Sequence, residues 1–285
     1  MTRKIGQGGE GEIFAAWDEE LQQDVAVKLQ PARAFVSTNT YAQDGEPIEQ
    51  EYVRLKAMLD ISGIPRVLDS GSFGRNRRQF LIMERVHGET IASWIGAHHP
   101  VPQDAAVSVI GQLCEILDEL HGKGYVHRDV TPNNTMLEAD GRVRLLDVGI
   151  SVGSGERNDG PGGTDGYAAP EQHDRNAVLT AQADVFSLGA MMFKMVISEL
   201  PYAGLEHPLD AAALPFPGRL QAKMPEQLRA LGFAMIAVAP DERPNGVAEV
   251  LRRLRPMLPE PGSRASPKAT RPDPTARYRL GSPIP

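Results

Sequence analysis

Residues 127–134 read His-Arg-Asp-Val-Thr-Pro-Asn-Asn, with Asp129 five residues before Asn134. No other segment constrains the fold as much. It demands an architecture that holds a carboxylate and an amide on one short loop, aimed at the same atoms. A carboxylate there can accept a proton from an attacking hydroxyl, and an amide oxygen can hold a hard cation beside it. Asp147-Val148-Gly149 follows, adding a second oxygen donor. Upstream, Gly6-Gln7-Gly8-Gly9-Glu10-Gly11-Glu12-Ile13 sets four glycines in a turn whose amides can approach phosphate oxygens. Val25-Ala26-Val27-Lys28 comes next, its lysine 17 residues after Gly11.

Each motif alone is weak. A glycine-rich turn is usually just a turn, and Asp and Asn are common turn residues. Their order and spacing suit phosphoryl transfer, where catalysis is mostly positioning and charge neutralisation. Together, across roughly residues 4–255, they resemble the protein kinase signature set, of the eukaryotic-like (Hanks-type) kind and bacterial in style.

The resemblance implies roles for particular residues. Lys28 would pair with the α- and β-phosphates of ATP and with a glutamate on the next helix. Glu51 suits that pairing because Leu55 follows one turn later, with Glu49 and Glu46 as competitors. Asp129 would receive the proton of the substrate hydroxyl, and Asn134 and Asp147 would hold Mg2+. Ile5, Gly6, Gly8, Gly11 and Ile13 would cover the nucleotide. Phe80–Val86 would enter a hinge, with Met83 as gatekeeper and the backbones of Glu84 and Val86 meeting adenine between Ala26 and Met136. The implied partner is a protein substrate phosphorylated on Ser or Thr, the chain itself included.

Two departures from the family pattern stand out. Thr131 occupies the place where Ser/Thr members usually carry a lysine near the γ-phosphate, so the site lacks a positive charge. Restoring it by Thr131→Lys is expected to keep or raise turnover. Val148 replaces the Phe of Asp-Phe-Gly, which predicts a looser apolar stack.

Further along, Gly163-Thr164-Asp165-Gly166-Tyr167-Ala168-Ala169-Pro170-Glu171 resembles the end of a protein kinase activation segment. Thr164 would contact Asp129, Glu171 would pair with Arg243, and Asp184 would anchor the catalytic loop. Small-molecule kinases of the same broad fold lack this segment, which argues against a small-molecule phosphotransferase. A nucleotide-binding pseudokinase scaffold is the other alternative, supported only by Thr131 and Val148. Arg128 would face a phosphate on the segment or, without one, Glu156 or Asp159. Ser154 is the freer hydroxyl for such a phosphate.

The net charge of −7 argues against general nucleic-acid binding. The single cysteine, Cys114, allows no internal disulfide and suits a reducing, cytoplasmic setting. No stretch approaches the ~20 apolar residues of a membrane span. The first third reads as strands with one helix over Glu49–Leu59, and a polar insertion falls over Ser37–Pro47. Helices are expected over Asp104–His121, Asp184–Ile197, Pro225–Ala237 and Gly246–Arg255. The fold class is α+β and bilobal: a strand-rich N-lobe over about 1–83, a hinge over 84–88 and a helical C-lobe over 89–255. Residues 256–285 are rich in Pro, Arg, Ser and Gly, which predicts a disordered tail. Arg264, Lys268, Arg271, Arg277 and Arg279 against Glu260 and Asp273 make it basic, able to meet an acidic partner.

Overall fold

The computed structural model describes residues 3–8, 11–30, 48–74, 78–148, 151–158, 162–204, 216 and 224–281. The chain divides into two compact units. The first holds residues 1–60, 64–86 and 147–149, and the second holds 61–63, 87–146 and 150–285. The insertion read over Ser37–Pro47 lies outside the described residues.

The first unit is an antiparallel sheet in the order β1-β2-β3-β5-β4. Its strands are β1 (Arg3–Gly8), β2 (Gly11–Asp18), β3 (Gln23–Leu29), β4 (Val67–Phe73) and β5 (Arg78–Glu84). Strand alternation decides what each face does. Val25, Val27 and Leu29 join Ala16 in a buried cluster, packed by Phe14, Leu68, Phe80 and Ile82. Ala26 and Lys28 therefore share the opposite face. Helix α1 (Ile48–Ala57) packs on β4 and β5 through buried Ile48, Glu51 and Leu55.

The second unit is helical around α3 (Gln103–Gly122) and α4 (Gln182–Ile197). Both bury residues on nearly every face, which marks them as central rather than surface helices. Helices α5 (Glu226–Met235) and α6 (Val247–Leu254) pack around them, with α2 (Ile91–Ala97) beside strand β6 (Gly88–Thr90). Two small antiparallel ladders complete the unit. One joins β6 to β8 (Thr135–Glu138) and β9 (Val143–Leu145); the other joins β7 (Tyr125–Val126) to β10 (Val152–Gly153). Cys114 is buried in α3, and burial pushes its thiol far up, as suits a structural residue. No helix among the described residues is long and apolar enough to cross a membrane.

The Pro- and Arg-rich tail departs from its compositional reading. Residues 256–281 belong to the second unit; 272–279 are buried or half-buried in it, whereas 260–268 are exposed. Trp94 Nε1 donates to the Pro272 carbonyl at 3.3 Å, and Tyr278 Oη donates to Glu115 at 3.0 Å. Thr270 and Thr275 are buried. Proline explains the difference. It restricts the unfolded chain, so fewer contacts suffice to order such a segment. Arg279 finds its carboxylate within the tail, on Asp273 at 2.7 Å.

Candidate active site

The strand-rich unit contributes an ion triad. Lys28 projects from β3 opposite Leu81 of β5 and Ile13 of β2. Its Nζ lies 3.0 Å from Glu51 on α1 and 3.0 Å from Oδ1 of Asp147. The Lys28 and Glu51 side chains are each only 4% exposed, so each charge depends on the other in a poorly hydrated place. Glu49 accepts from Gln79 Nε2 at 2.6 Å, and Glu46 lies outside the described residues. Of the two described competitors, Glu51 is therefore the lysine's partner.

The glycine-rich segment is the β1–β2 hairpin, with Gly8 paired to Gly11 and Gly9-Glu10 outside the described residues. Ile5 and Gly6 lie on β1 and Ile13 on β2. Glu12 braces the hairpin through Lys4 at 2.8 Å and Arg78 at 2.7 Å, and these two cations hold its carboxyl below the usual range. On β5, Met83 stands opposite Ala26. The Glu84 N–H donates to the Arg66 carbonyl at 2.8 Å, and Val86 lies two residues beyond. Val148 is fully buried despite its small size.

The helical unit carries the loop with Asp129 and Asn134, and there the pins are on the main chain. Asp184 on α4 is fully buried and accepts the His127 and Arg128 N–H groups at 2.8 Å each, and His121 Nε2 at 2.8 Å. Burial alone would raise its pKa, but the His121 contact and the nearby His127 outweigh it and hold the carboxyl low. This anchorage offsets strain: Arg128 sits at φ 71°, a region that costs a non-glycine residue on the order of 1–3 kcal/mol. The buried His127 ring adds a strut, with Nδ1 accepting the Asp129 N–H at 3.3 Å and Nε2 facing the Leu146 carbonyl at 3.1 Å.

Both Asp129 oxygens are engaged. Asn134 Nδ2 donates to Oδ2 at 2.6 Å, and the Thr164 hydroxyl donates to Oδ1 at 2.7 Å. Asn134 spends its amide nitrogen on Asp129, which leaves Oδ1 as its donor atom for a cation. An amide oxygen is a hard donor of the kind Mg2+ accepts. No group of three or more acidic, His or Cys side chains that could hold a metal ion occurs among the described residues. Met136 lies on β8, half-buried, opposite Thr90 and Arg144.

Thr131 does something the sequence did not reveal. It is only 1% exposed; its hydroxyl accepts the Asn134 N–H at 3.2 Å, and its carbonyl accepts the Thr135 hydroxyl at 2.8 Å. It shapes the turn that carries Asn134, a common use of threonine.

Two amides were also missed. Arg128 Nη2 donates to Asn158 at 2.9 Å, and Asn158 Nδ2 donates to the Gln172 carbonyl at 2.7 Å. Gln172 Nε2 returns to the Arg128 carbonyl at 2.8 Å. Among the described residues, then, a neutral amide meets Arg128. Glu156 instead accepts the Gly153 N–H at 3.2 Å, and Asp159 lies outside the described residues. Nothing in the local sequence marks Asn158; Gln172 is flagged only by following Glu171. Glu171 takes a bidentate grip from Arg243 at 2.6 and 2.8 Å. Tyr167 sits half-buried nearby, its phenol pushed up to about 12 by burial.

Comparison with known proteins follows the same lines. A family described as the protein kinase domain matches residues 1–253. Serine/threonine-protein kinase PknA of Mycobacterium tuberculosis is 31% identical over 307 aligned positions, covering 99% of this chain and 68% of the relative. Serine/threonine-protein kinase PknB of Mycolicibacterium smegmatis is 28% identical over 261 positions, covering 86% of this chain and 40% of the relative. The chain thus spans well under two thirds of the PknB relative's length.

Proposed function

The chain belongs to the protein kinase family, and from that premise we propose that it transfers the γ-phosphate of ATP to Ser or Thr hydroxyls of protein substrates. The observation that carries this reading is the Asp129 carboxylate, held from one side by Asn134 and from the other by Thr164 of the segment before Ala169-Pro170-Glu171.

In this reading Asp129 orients the substrate hydroxyl and takes its proton. The hydroxyl oxygen bonds to the γ-phosphorus while the bond to the ADP oxygen breaks. Lys28, steadied by Glu51, grips the α- and β-phosphates. Asn134 and Asp147 are the residues that would hold Mg2+, which supplies charge neutralisation at the phosphates when bound. The backbones of Glu84 and Val86 meet adenine in this reading. Ile5, Gly6, Gly8, Gly11 and Ile13 cover the nucleotide; Ala26, Met83 and Met136 flank its base. The Arg128–Asn158–Gln172 amides hold the segment beside the loop without needing a phosphate there.

Incubation with γ-labelled ATP and Mg2+, beside a generic basic protein, a sugar and an aminoglycoside, tests the reading. Acid hydrolysis should return label as phosphoserine or phosphothreonine. Label on a small molecule, or on tyrosine alone, overturns it.

A further inference from the structure

Residues 273–278 meet both α3 and the β8–β9 hairpin at one junction. The centre is Gln112, a buried amide in a helix whose buried positions are mostly apolar. Every hydrogen-bonding position of its nitrogen and one of its oxygen is taken: Oε1 accepts the Val143 N–H at 2.9 Å, and Nε2 donates to the carbonyls of Gly141 at 3.0 Å and Pro274 at 3.1 Å. One side chain therefore ties helix, hairpin and tail together.

Two glycines make room for this contact. A Cβ at Gly111, in the middle of α3, would lie 2.6 Å from the Tyr278 hydroxyl. A glycine there weakens a helix, and the close seat of Tyr278 gives it a reason. Gly141, at the hairpin turn, has φ +89°, and its Cβ would lie 2.2 Å from the Asp273 carbonyl oxygen. The tail is also folded on itself, through Arg279 to Asp273 and the Thr275 hydroxyl to Asp273 at 2.6 Å.

The hairpin it grips is the one that carries the cation-ligand loop. Strand β8 begins at Thr135, directly after Asn134, and the Asn134 carbonyl accepts the Leu146 N–H at 2.7 Å. Leu146 immediately precedes Asp147. Resting on the kinase reading, we infer that residues 259–281 form a strap that holds the β8–β9 hairpin through Gln112 and Tyr278, and so positions Asn134 for magnesium. Gln112 and Tyr278 are positioning residues, acting through the hairpin.

The test uses full-length Tyr278→Ala and Tyr278→Phe beside the wild type, with amide hydrogen exchange and a magnesium titration of phosphate transfer. Tyr278→Ala should speed exchange across 139–146 by about tenfold. It should also raise the magnesium concentration for half-maximal transfer several-fold, leaving the KM for protein substrate unchanged. Tyr278→Phe, which keeps the ring on Gly111, should recover most of both. Faster exchange confined to 259–281, with an unchanged hairpin and magnesium curve, overturns the strap. If the wild type transfers no phosphate, that failure counts against the kinase reading alone. Exchange across 139–146 then decides: acceleration in Tyr278→Ala supports the strap, and its absence overturns it.

Discussion

The two units hold their functional groups by opposite means. In the strand-rich unit, Lys28, Glu51 and Asp147 come from a strand, a helix and a distant segment, and only charged side chains join them. In the helical unit, one loop carries Asp129 and Asn134, and a single buried carboxylate, Asp184, pins its main chain. Side-chain ties can be lost one at a time. Main-chain pins fail together, because every residue on the loop depends on them. Damage to the first site should be local, and damage to the second collective.

The largest effect is expected for Asp184→Ala. It leaves two buried N–H groups without acceptors, each worth about 1–3 kcal/mol. Thermal unfolding should drop by several degrees and phosphate transfer should be lost. Unchanged melting with normal transfer would remove the contrast. Glu51→Gln should instead lower the melting temperature by less, because the amide oxygen can still accept from Lys28 and Asp147 keeps that lysine paired. Lys28 keeps Asp147 as a partner, so the KM for ATP should rise ~10–100-fold, the scale of one hydrogen bond to a charged group. A collapse of stability comparable to that of Asp184→Ala would show that the triad is structural.

Thr131 gives a smaller, sharper test. Read from the sequence, a lysine there was expected to keep or raise turnover. In the structure the hydroxyl caps the Asn134 turn in a buried place, so Thr131→Lys loses the acceptor and buries an amine. Turnover should fall several-fold, with Thr131→Ser near wild type. Equal rates in all three proteins would return the argument to charge alone. The smallest effect concerns pH. Burial raises the Glu115 carboxyl above its ordinary 4.5, with Tyr278, Arg277 and Arg255 opposing. The folded state therefore binds its proton more tightly than the unfolded chain does. The associated stability is present below 4.5 and is lost as pH rises through the higher folded value. Glu115→Gln should flatten that slope in pH-dependent unfolding; an unaltered profile would exclude Glu115 as its source.

What could be read from the sequence tracks the range of the interactions. The family resemblance implied that Lys28 pairs with a glutamate on the next helix, and the inward turn of Leu55 singled out Glu51; the two side chains lie 3.0 Å apart. The contacts of Asp129, Thr164, Glu171, Asp184 and Arg243 were legible because the resemblance to protein kinase motifs implies them. Asn158 and Gln112 were not, since a buried amide is recognised by the carbonyls around it, and those come from remote segments. The burial of Thr131 and its bond to the Asn134 N–H were not legible, since the residue's charge alone was weighed. The packing of residues 272–279 was not legible because composition counts apolar residues but not the restriction that proline places on the unfolded chain.

The most direct measurement is phosphate transfer from γ-labelled ATP with magnesium, comparing the wild type with Asp129→Asn and Asp147→Asn. The account predicts label on Ser or Thr in the wild type and a fall of ~10²–10⁴-fold in Asp129→Asn, the usual contribution of a general base, with a comparable loss in Asp147→Asn. Transfer undiminished in Asp129→Asn, or ATP binding by the wild type without any transfer, would contradict it.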